Sequence, residues 1–204
     1  ADNTQGWMAA IGTLAILDRV GGDVQLAWEG CHPVLHGAAL DQVVELMSLA
    51  ARTAPKGKGI DNLVVFAVRA KAKDQLSAEM RRIVKEEGGM PTFERDANNI
   101  DKSPVVLLMG QRVKVTGPKP CGYCGYKDCA ENTQNNGMCA ISIGDLGIAI
   151  GSAVSVAAAH HVDNRIMFTV GRAALNLKMF GDDEVKIAYG IPLSVSGKSP
   201  FFDR

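Results

Sequence analysis

Residues 63–89 of the chain read LVVFAVRAKAKDQLSAEMRRIVKEEGG, a short apolar run followed directly by a longer amphipathic one. The run from Leu63 to Arg69 is typical of a buried strand, because its length suits a strand better than a helix. Between Lys73 and Glu87 apolar residues recur at helical spacing, and the Gly88-Gly89 pair predicts the end of the helix. A buried strand next to an amphipathic helix predicts a sheet that is covered by helices.

Elements of the same two kinds lie on both sides of this stretch. Apolar residues at helical spacing from Leu40 to Ala54 predict a helix that Pro55 ends, because proline cannot continue a helix. Downstream, local composition predicts a strand at Val105–Met109 that Arg112–Val115 extends. It then predicts a strand at Arg165–Val170, a helix at Arg172–Phe180 and a last strand at Val185–Tyr189. Strands and helices do not alternate regularly, so we expect an α+β fold with one central mixed sheet and helices on both faces.

One further helix is expected from Leu146 to Ala159, and it is apolar almost all round. Ser142 followed by Asp145 matches the pattern of an N-cap with its capping-box partner. A helix that is apolar on every side is expected to be buried on every side. Small residues recur along it every four positions, at Gly147, Gly151, Ser155 and Ala159. Such a column allows a second helix to approach closely, either within one subunit or across a subunit interface.

Composition limits the classes of function that fit the chain. Its 204 residues carry 22 Lys and Arg against 22 Asp and Glu, which gives a formal net charge of zero. A balanced charge provides no concentrated positive patch, so neither nucleic acid nor a membrane is expected as a partner. The N-terminal residues lack the basic start and cleavage pattern of a secretory signal, which favours a cytoplasmic protein. Cysteines stay reduced in that compartment and are free to bind metal.

Four of the five cysteines lie close together, at Cys121, Cys124, Cys129 and Cys139. The surrounding segment 116–140 is rich in Gly, Pro, Asn and Gln, which predicts an irregular loop. Three of the cysteines fall within nine residues, whereas structural zinc sites usually consist of two separated Cys-x2-Cys pairs. We therefore expect an iron–sulfur cluster, with [4Fe–4S] as the first choice and zinc as the alternative. The spacing differs from the common ferredoxin motifs, so it does not fix the cluster type.

Two glycines beside the first cysteines support a metal-binding loop. Gly122 and Gly125 are able to adopt positive φ where the backbone turns around a site. Such turns expose backbone N–H groups, which can donate hydrogen bonds to cluster sulfurs and adjust the reduction potential. We therefore expect the backbone of this loop to contribute donors as well as thiolates.

Several motifs resemble a prokaryotic family described as containing a ferredoxin domain. They are AARTAPKGKGIDN at 50–62, CGYCG at 121–125, GDLGIAIGS at 144–152, DNRIM at 163–167 and the ending at 197–204. These motifs agree in order over about residues 38–204, and residues 1–36 do not take part. The cysteine loop is also similar to the four-cysteine iron–sulfur segment of several anaerobic redox proteins. The resemblance implies a redox protein.

A second resemblance is to the FMN-dependent nitroreductases. As in those enzymes, a helix ends in an Ala54-Pro55 loop with a nearby Asn, and a final Gly-x-Pro strand, here Gly190-Ile-Pro192, precedes a basic tail. This resemblance implies an intertwined homodimer with FMN at the interface. It also implies an FMN site lined by Arg52, Lys56 and Asn62, with Lys198 and Arg204 near the phosphate. The Arg-x-Ser-x-Arg type of phosphate motif that nitroreductases usually carry before the first helix is missing from residues 1–39.

These observations predict a nitroreductase-like domain at 37–204 with a cysteine-rich metal-binding insert at 116–140, and an N-terminal arm at 1–36. The predicted function is a flavin-linked iron–sulfur oxidoreductase that moves electrons between the cluster and a small-molecule acceptor, with a small-molecule or protein electron donor. Two alternatives stay open: an iron–sulfur carrier or redox sensor without flavin, and a zinc-stabilised structural or interaction protein. The sequence identifies no catalytic acid or base.

Overall fold

The computed structural model describes residues 36–202, so the predicted arm lies outside the described residues except for its last position. The described residues form six α-helices and four strands. In chain order these are α1 His36–Thr53, β1 Leu63–Val68, α2 Ala70–Glu87, α3 Thr92–Asp101, β2 Val105–Arg112, α4 Cys129–Gln134, α5 Ala140–Ala159, β3 Asp163–Asn164, α6 Phe168–Asn176 and β4 Val185–Ser194. A single 3-10 turn, Gly57–Gly59, lies between α1 and β1.

The four strands form one sheet in the order β1-β2-β4-β3. The predicted mixed sheet is antiparallel at every pairing among the described strands. The register pairs Leu63 with Gln111 at one end of the sheet and Val105 with Leu193 at the other. We call these the Gln111 end and the Val105 end. Strand β2 is central and buried on both faces, which accounts for its continuous apolar sequence.

Helices cover both faces of the sheet. Because side chains alternate along a strand, Val105, Leu107 and Met109 face the layer of α1 and α5. Val106 and Leu108 face the layer of α2, α3 and α6. The predicted α+β fold, with a central sheet and helices on both faces, is confirmed.

The predictions around α6 were wrong. The segment Arg165–Val170, predicted as a strand, makes one isolated bridge from Met167 to Gly190 before α6 begins. Its aromatic and β-branched residues favour a strand locally, but the packing of α6 on β4 overrides this preference. Gly171 permits that packing, because a Cβ there would collide with the carbonyl oxygen of Ala188. The last strand is also longer than predicted, whereas β2 stops at Arg112 and the extension to Val115 does not form.

Helices α3 and α4 were not predicted, although the sequence contains a signal for each. Buried residues at helical spacing lie along α3, at Phe93, Ala97 and Ile100. Helix α4 lies in the segment predicted as irregular, and Asp128 accepts a hydrogen bond from the Glu131 N–H at 2.9 Å. The Glu131 carboxylate in turn accepts from the N–H of Lys127 at 2.6 Å. This Asp-x-x-Glu pattern is a helix start signal.

Helix α5 differs from its prediction in two respects. It begins at Ala140 with Cys139 as N-cap, so the assignment of Ser142 as N-cap was wrong. It is also not buried on every side, because the small-residue column from Gly147 to Ala159 is exposed at each position. Among residues 36–202, α5 is the one helix long and apolar enough to cross a membrane. Its inner face packs on the sheet through Leu146, Ala149, Ala153 and Ala157, as in the core helix of a folded domain.

Candidate metal centre

The four predicted metal ligands line one pocket at the Gln111 end of the sheet. All four lie in the segment 113–139, which we call the cysteine loop. The first three come before or at the start of α4, and Cys139 ends the loop at α5. Cys121 is exposed, Cys124 and Cys129 are half-buried, Cys139 is buried, and all four are free thiols. The fold therefore brings all four cysteines to the lining of one pocket. The fifth cysteine, Cys31, lies outside the described residues.

Two glycines shape the first part of the cysteine loop. Gly122 and Gly125 have φ of 111° and 85°, values that favour glycine. The Gly125 N–H donates to the carbonyl of Gly122 at 2.9 Å and closes a turn around Cys124. The positive φ predicted at both glycines is confirmed, and the turn directs two neighbouring cysteines to the same pocket.

Cys139 lies in an environment that stabilises a thiolate. Burial raises the pKa of its thiol, but backbone hydrogen bonds from Ser142, Thr116 and Ile141 and the hydroxyl of Thr116 outweigh that effect. The pKa of Cys139 is therefore below its ordinary value. The Thr116 Oγ1 lies 3.7 Å from the Cys139 Sγ. Sequence reasoning missed these donors, because Thr116 is distant in sequence and Ser142 was interpreted as a cap.

A cluster and a single ion require different spacings of their sulfur ligands. Among residues 36–202, no three His, Cys, Asp or Glu side chains are close enough together to hold one metal ion. A tetrahedral zinc site needs its sulfur ligands within about 2.3 Å of one ion. In a four-iron cluster each thiolate binds a different iron, so the sulfurs stand further apart. Four thiols around one pocket are a donor set that suits either an iron–sulfur cluster or zinc.

The loop 54–62, which we call the Ala-Pro loop, lies at the same end of the sheet. Lys56 was predicted to contact FMN, and its ammonium donates to three backbone carbonyls at the end of α1. These belong to Ala51, Arg52 and Ala54, at 3.2, 2.7 and 2.8 Å. Only 5% of the Lys56 side chain is exposed, so in this protomer it fixes the shape of the loop.

The other two predicted FMN contacts in this region lie next to β1. Arg52 forms an ion pair with Asp61 at 2.7 Å and donates to the carbonyl of Leu63 at 2.8 Å. Asn62 is buried, and its carbonyl accepts a hydrogen bond from the N–H of Arg112 at 3.0 Å. Arg52, Lys56 and Asn62 are therefore grouped around one loop, and their contact with FMN stays a prediction.

Helix α5 connects the cysteine pocket to the Ala-Pro loop. Ile141 lines the pocket and also packs against Gly57, where an added Cβ would lie 2.7 Å from the Ile141 Cγ2. One turn later, Asp145 Oδ1 accepts a hydrogen bond from the Gly57 N–H at 2.9 Å. The Asp145 Oδ2 is buried without a partner among the described residues. The two loops therefore adjoin across one side chain, a connection that sequence reasoning missed.

The tail residues lie elsewhere in the protomer. Strand β4 ends at Ser194, at the Val105 end, and the exposed Lys198 follows it. Asn62 precedes β1 at the Gln111 end. The six residues of β1, each adding about 3.3 Å of length, separate this end of the sheet from the Val105 end. The strand register thus directs the tail away from the Ala-Pro loop. Arg204, the last predicted phosphate contact, lies outside the described residues.

Solved structures with a similar fold are nitroreductases. An FMN-bound nitroreductase from Desulfitobacterium hafniense aligns with a TM-score of 0.55 at 15% identity, over 82% of this chain and 81% of that chain. A nitroreductase family protein from Clostridium novyi aligns with a TM-score of 0.51 at 16% identity, over 84% of this chain and 79% of that chain. At these identities the likeness shows the fold alone. The protein therefore has a nitroreductase fold.

Sequence comparison gives the family. The model of a family described as "Uncharacterized protein containing a ferredoxin domain" matches residues 135–204, which include Cys139 and α5. An uncharacterised protein from Archaeoglobus fulgidus is 40% identical over 167 residues, covering 78% of this chain and 88% of that protein. A match of this identity and extent spans both the Ala-Pro loop and the metal centre. The chain belongs to this family of proteins that contain a ferredoxin domain.

Proposed function

We propose that this protein is an iron–sulfur redox protein in which Cys121, Cys124, Cys129 and Cys139 hold a [4Fe–4S] cluster. The observation that carries the proposal is the common pocket lined by all four thiols. Three cysteines within nine residues favour a cluster over zinc, because structural zinc sites usually consist of two separated Cys-x2-Cys pairs. The family description, which names a ferredoxin domain, agrees with this choice. A bound cluster would supply one-electron transfer.

The residues around the pocket have separate tasks. The four thiolates hold the metal, and the N–H groups of Ser142 and Ile141 donate to the Cys139 sulfur. Such donors stabilise negative charge on a ligand sulfur and raise the reduction potential. Val115 and Pro118 add apolar walls, which limit the contact of the sulfurs with water. These interactions position and tune the ligands without any further catalytic group.

The proposal extends to FMN bound beside the Ala-Pro loop, which would make the protein a flavin-linked oxidoreductase. Support comes from the fold, which it shares with an FMN-bound nitroreductase, and from the contact of this loop with the cysteine pocket through Ile141. Flavins exchange electrons singly or in pairs, so a flavin next to a cluster would link one-electron to two-electron chemistry. Lys56 would shape the site, and Arg52 and Asn62 would lie at its wall.

A homodimer would complete this site. The chain leaves the sheet at the Val105 end, shortly before Lys198. Lys198 would therefore reach the Ala-Pro loop of a second copy more readily than the Ala-Pro loop of its own chain. The exposed face of α5 supports association, because its glycines present no side chain and Ile148 beside them is 48% exposed. On the neighbouring α1, Leu49 is 62% exposed. Apolar faces of this kind are often covered by a partner.

The test is the absorption spectrum of protein purified without oxygen, recorded before and after dithionite. Broad brown absorbance that bleaches, together with yellow flavin bands, is the expected result. Bleaching without flavin bands would support a carrier or sensor and remove FMN from the proposal. A colourless protein that stays colourless after treatment with iron and sulfide, and that contains zinc, would contradict the cluster.

Two variants make this test specific to the cysteine pocket. Cys139→Ser is expected to lose the bleachable absorbance, because it removes the buried ligand with the most hydrogen bonds. Cys31→Ser removes the cysteine that lies outside the cysteine loop and is expected to keep the full iron content. Equal iron in both variants would refute the ligand assignment.

A further inference from the structure

A groove opens from the cysteine pocket to the protein surface. It is bordered by the turn before the first cysteine and by the start of α4, and its lining includes Pro118, Lys119, Pro120, Cys121, Lys127 and Cys129. Cys121 and Cys129 line both the groove and the pocket. The groove is therefore the side from which an external molecule can approach two of the four thiols most closely.

Lysines dominate the charge at the rim of this groove. Lys119 and Lys127 are exposed, and among residues 36–202 neither has a carboxylate within 4 Å. The acidic side chain in the lining, Asp128, is directed to the start of α4 and accepts from the backbone N–H groups of Glu131 and Ala130. The lining residues therefore carry two ammonium groups against one carboxylate, which gives the groove a net positive charge.

Apolar surface accompanies these charges. The prolines at 118 and 120 lie in the groove lining, and Tyr123, which stands between two cysteines, is 81% exposed. Apolar and aromatic groups inside a charged rim are typical of protein-docking surfaces, because the charges direct the encounter and the apolar contacts provide affinity.

We propose that this groove docks an acidic one-electron carrier protein of the ferredoxin type, and that electrons enter or leave on the side of Cys121 and Cys129. The inference rests on the proposed cluster and names its partner. The exchange transfers one electron: the carrier is oxidised as this protein is reduced, or the reverse, and no bond or proton is exchanged. The lysines are needed because a cluster with four thiolates is itself negative and would repel an acidic carrier.

A nicotinamide dinucleotide is the competing occupant, since its phosphates would also be attracted by lysines. It transfers a hydride, which is two electrons, to a flavin. The groove leads to thiols, so a one-electron partner suits it better. A nucleotide also needs a pocket that encloses its rings, whereas this groove is an open surface depression with exposed lysines at its rim.

Binding is the first readout. An oxidised plant-type [2Fe–2S] ferredoxin is titrated into the oxidised full-length protein, and calorimetry measures the affinity at low and at physiological ionic strength. Lys119→Glu and Lys127→Glu, singly and together, are compared with Lys71→Glu on the exposed side of α2. Cytochrome c, a basic carrier, replaces ferredoxin as a control of charge sign, and NADH is titrated in parallel. The rate of cluster reduction by reduced ferredoxin and by dithionite gives the second readout.

The double variant is expected to weaken ferredoxin binding by at least about tenfold at low salt, because two attractive charges become repulsive. Lys71→Glu is expected to change it less than twofold, and dithionite is expected to reduce every variant alike. Three results would overturn the docking proposal and leave the proposed function intact. They are equal ferredoxin binding by all variants, tighter binding of cytochrome c than of ferredoxin, and NADH binding that the Lys119 and Lys127 variants abolish. A protein without a bleachable cluster would overturn both this inference and the proposed function.

Discussion

The Ala-Pro loop and the cysteine loop lie at the same end of the sheet and adjoin the same two turns of α5, but they are held in place differently. The Ala-Pro loop is held by its own side chains, through the carbonyl contacts of Lys56 and the ion pair of Arg52 with Asp61. In the cysteine loop, four free thiols surround a pocket. The first loop is linked by hydrogen bonds and an ion pair within the protein, whereas in the proposed function a metal would link the sulfurs of the second.

Removal of the metal is expected to have the largest effect and to separate the two loops. Amide hydrogen exchange in residues 117–137 should accelerate by at least about 100-fold after chelation, because the cross-links between the thiols are lost. Exchange in residues 54–62 should stay within about threefold of its rate in the loaded protein. Hydrogen-exchange mass spectrometry of loaded and chelated protein measures both segments together. Equal acceleration in the two loops would show that the metal supports the whole end of the sheet.

Lys56→Met should reduce the free energy of unfolding by about 2 kcal/mol, because it leaves three carbonyls at the end of α1 without their charged donor. Lys58→Met is the matched control, since this neighbouring side chain makes no contact of that kind, and it should change stability by less than about 0.5 kcal/mol. Urea denaturation of the two variants tests the difference. A stable Lys56→Met variant would mean that Lys56 does not hold the loop.

Gly57→Ala should reduce stability by about 1 to 2 kcal/mol, because the new Cβ would lie 2.7 Å from the Ile141 Cγ2. Gly144→Ala on α5 is the control: nothing lies within 4 Å of its Cβ position, and a helical Ala should increase stability by up to about 1 kcal/mol. Thermal unfolding gives the sign of both changes. If Ile141 transmits the strain, Gly57→Ala should also alter the visible absorption of the metal centre.

The smallest expected effect is the acid dependence of the Ala-Pro loop. Partial burial raises the pKa of Asp61, but hydrogen bonds from Arg52 and from the Leu63 N–H hold it below its ordinary value of 3.8. The pair therefore contributes stability at neutral pH, and this contribution is lost as the pH falls below about 4 and through the folded pKa. Asp61→Asn should remove less than about 0.5 kcal/mol at pH 7, because the pair is partly exposed. At pH 3 the variant and the parent should differ less than at pH 7.

The sequence was sufficient for the fold class and for grouping the four cysteines that line one pocket. Both depend on patterns that are local in the chain: the apolar run of β1, the helical spacing of α1 and α2, and the cysteine spacing. The helix at Phe168 could not be predicted in this way, because Gly171 makes it possible only through contact with β4. Strand propensity describes local preference, and tertiary contacts can override it.

Local sequence patterns also did not predict which residues donate hydrogen bonds to Cys139. Thr116 and Ser142 reach Cys139 because a strand end and a helix start meet in space. Ser142 and Asp145 suggested a capping box, yet the Ser142 hydroxyl binds the carbonyl of Arg112 and the Asp145 carboxylate binds the Gly57 N–H. Both residues bind other segments of the chain, so spacing along α5 alone pointed to the wrong role.

Strand β1 stands first in the sheet order, and among residues 36–202 it pairs with β2 alone. The Leu63 N–H and C=O bind Asp61 and Arg52. The other N–H and C=O groups on the outer side of β1 form a template to which another strand can add. Its sequence, LVVFAV, contains neither a charge nor a proline to discourage such addition. The purified chain can therefore self-associate by sheet extension wherever β1 is left uncovered. This route to self-association does not involve the cysteine pocket.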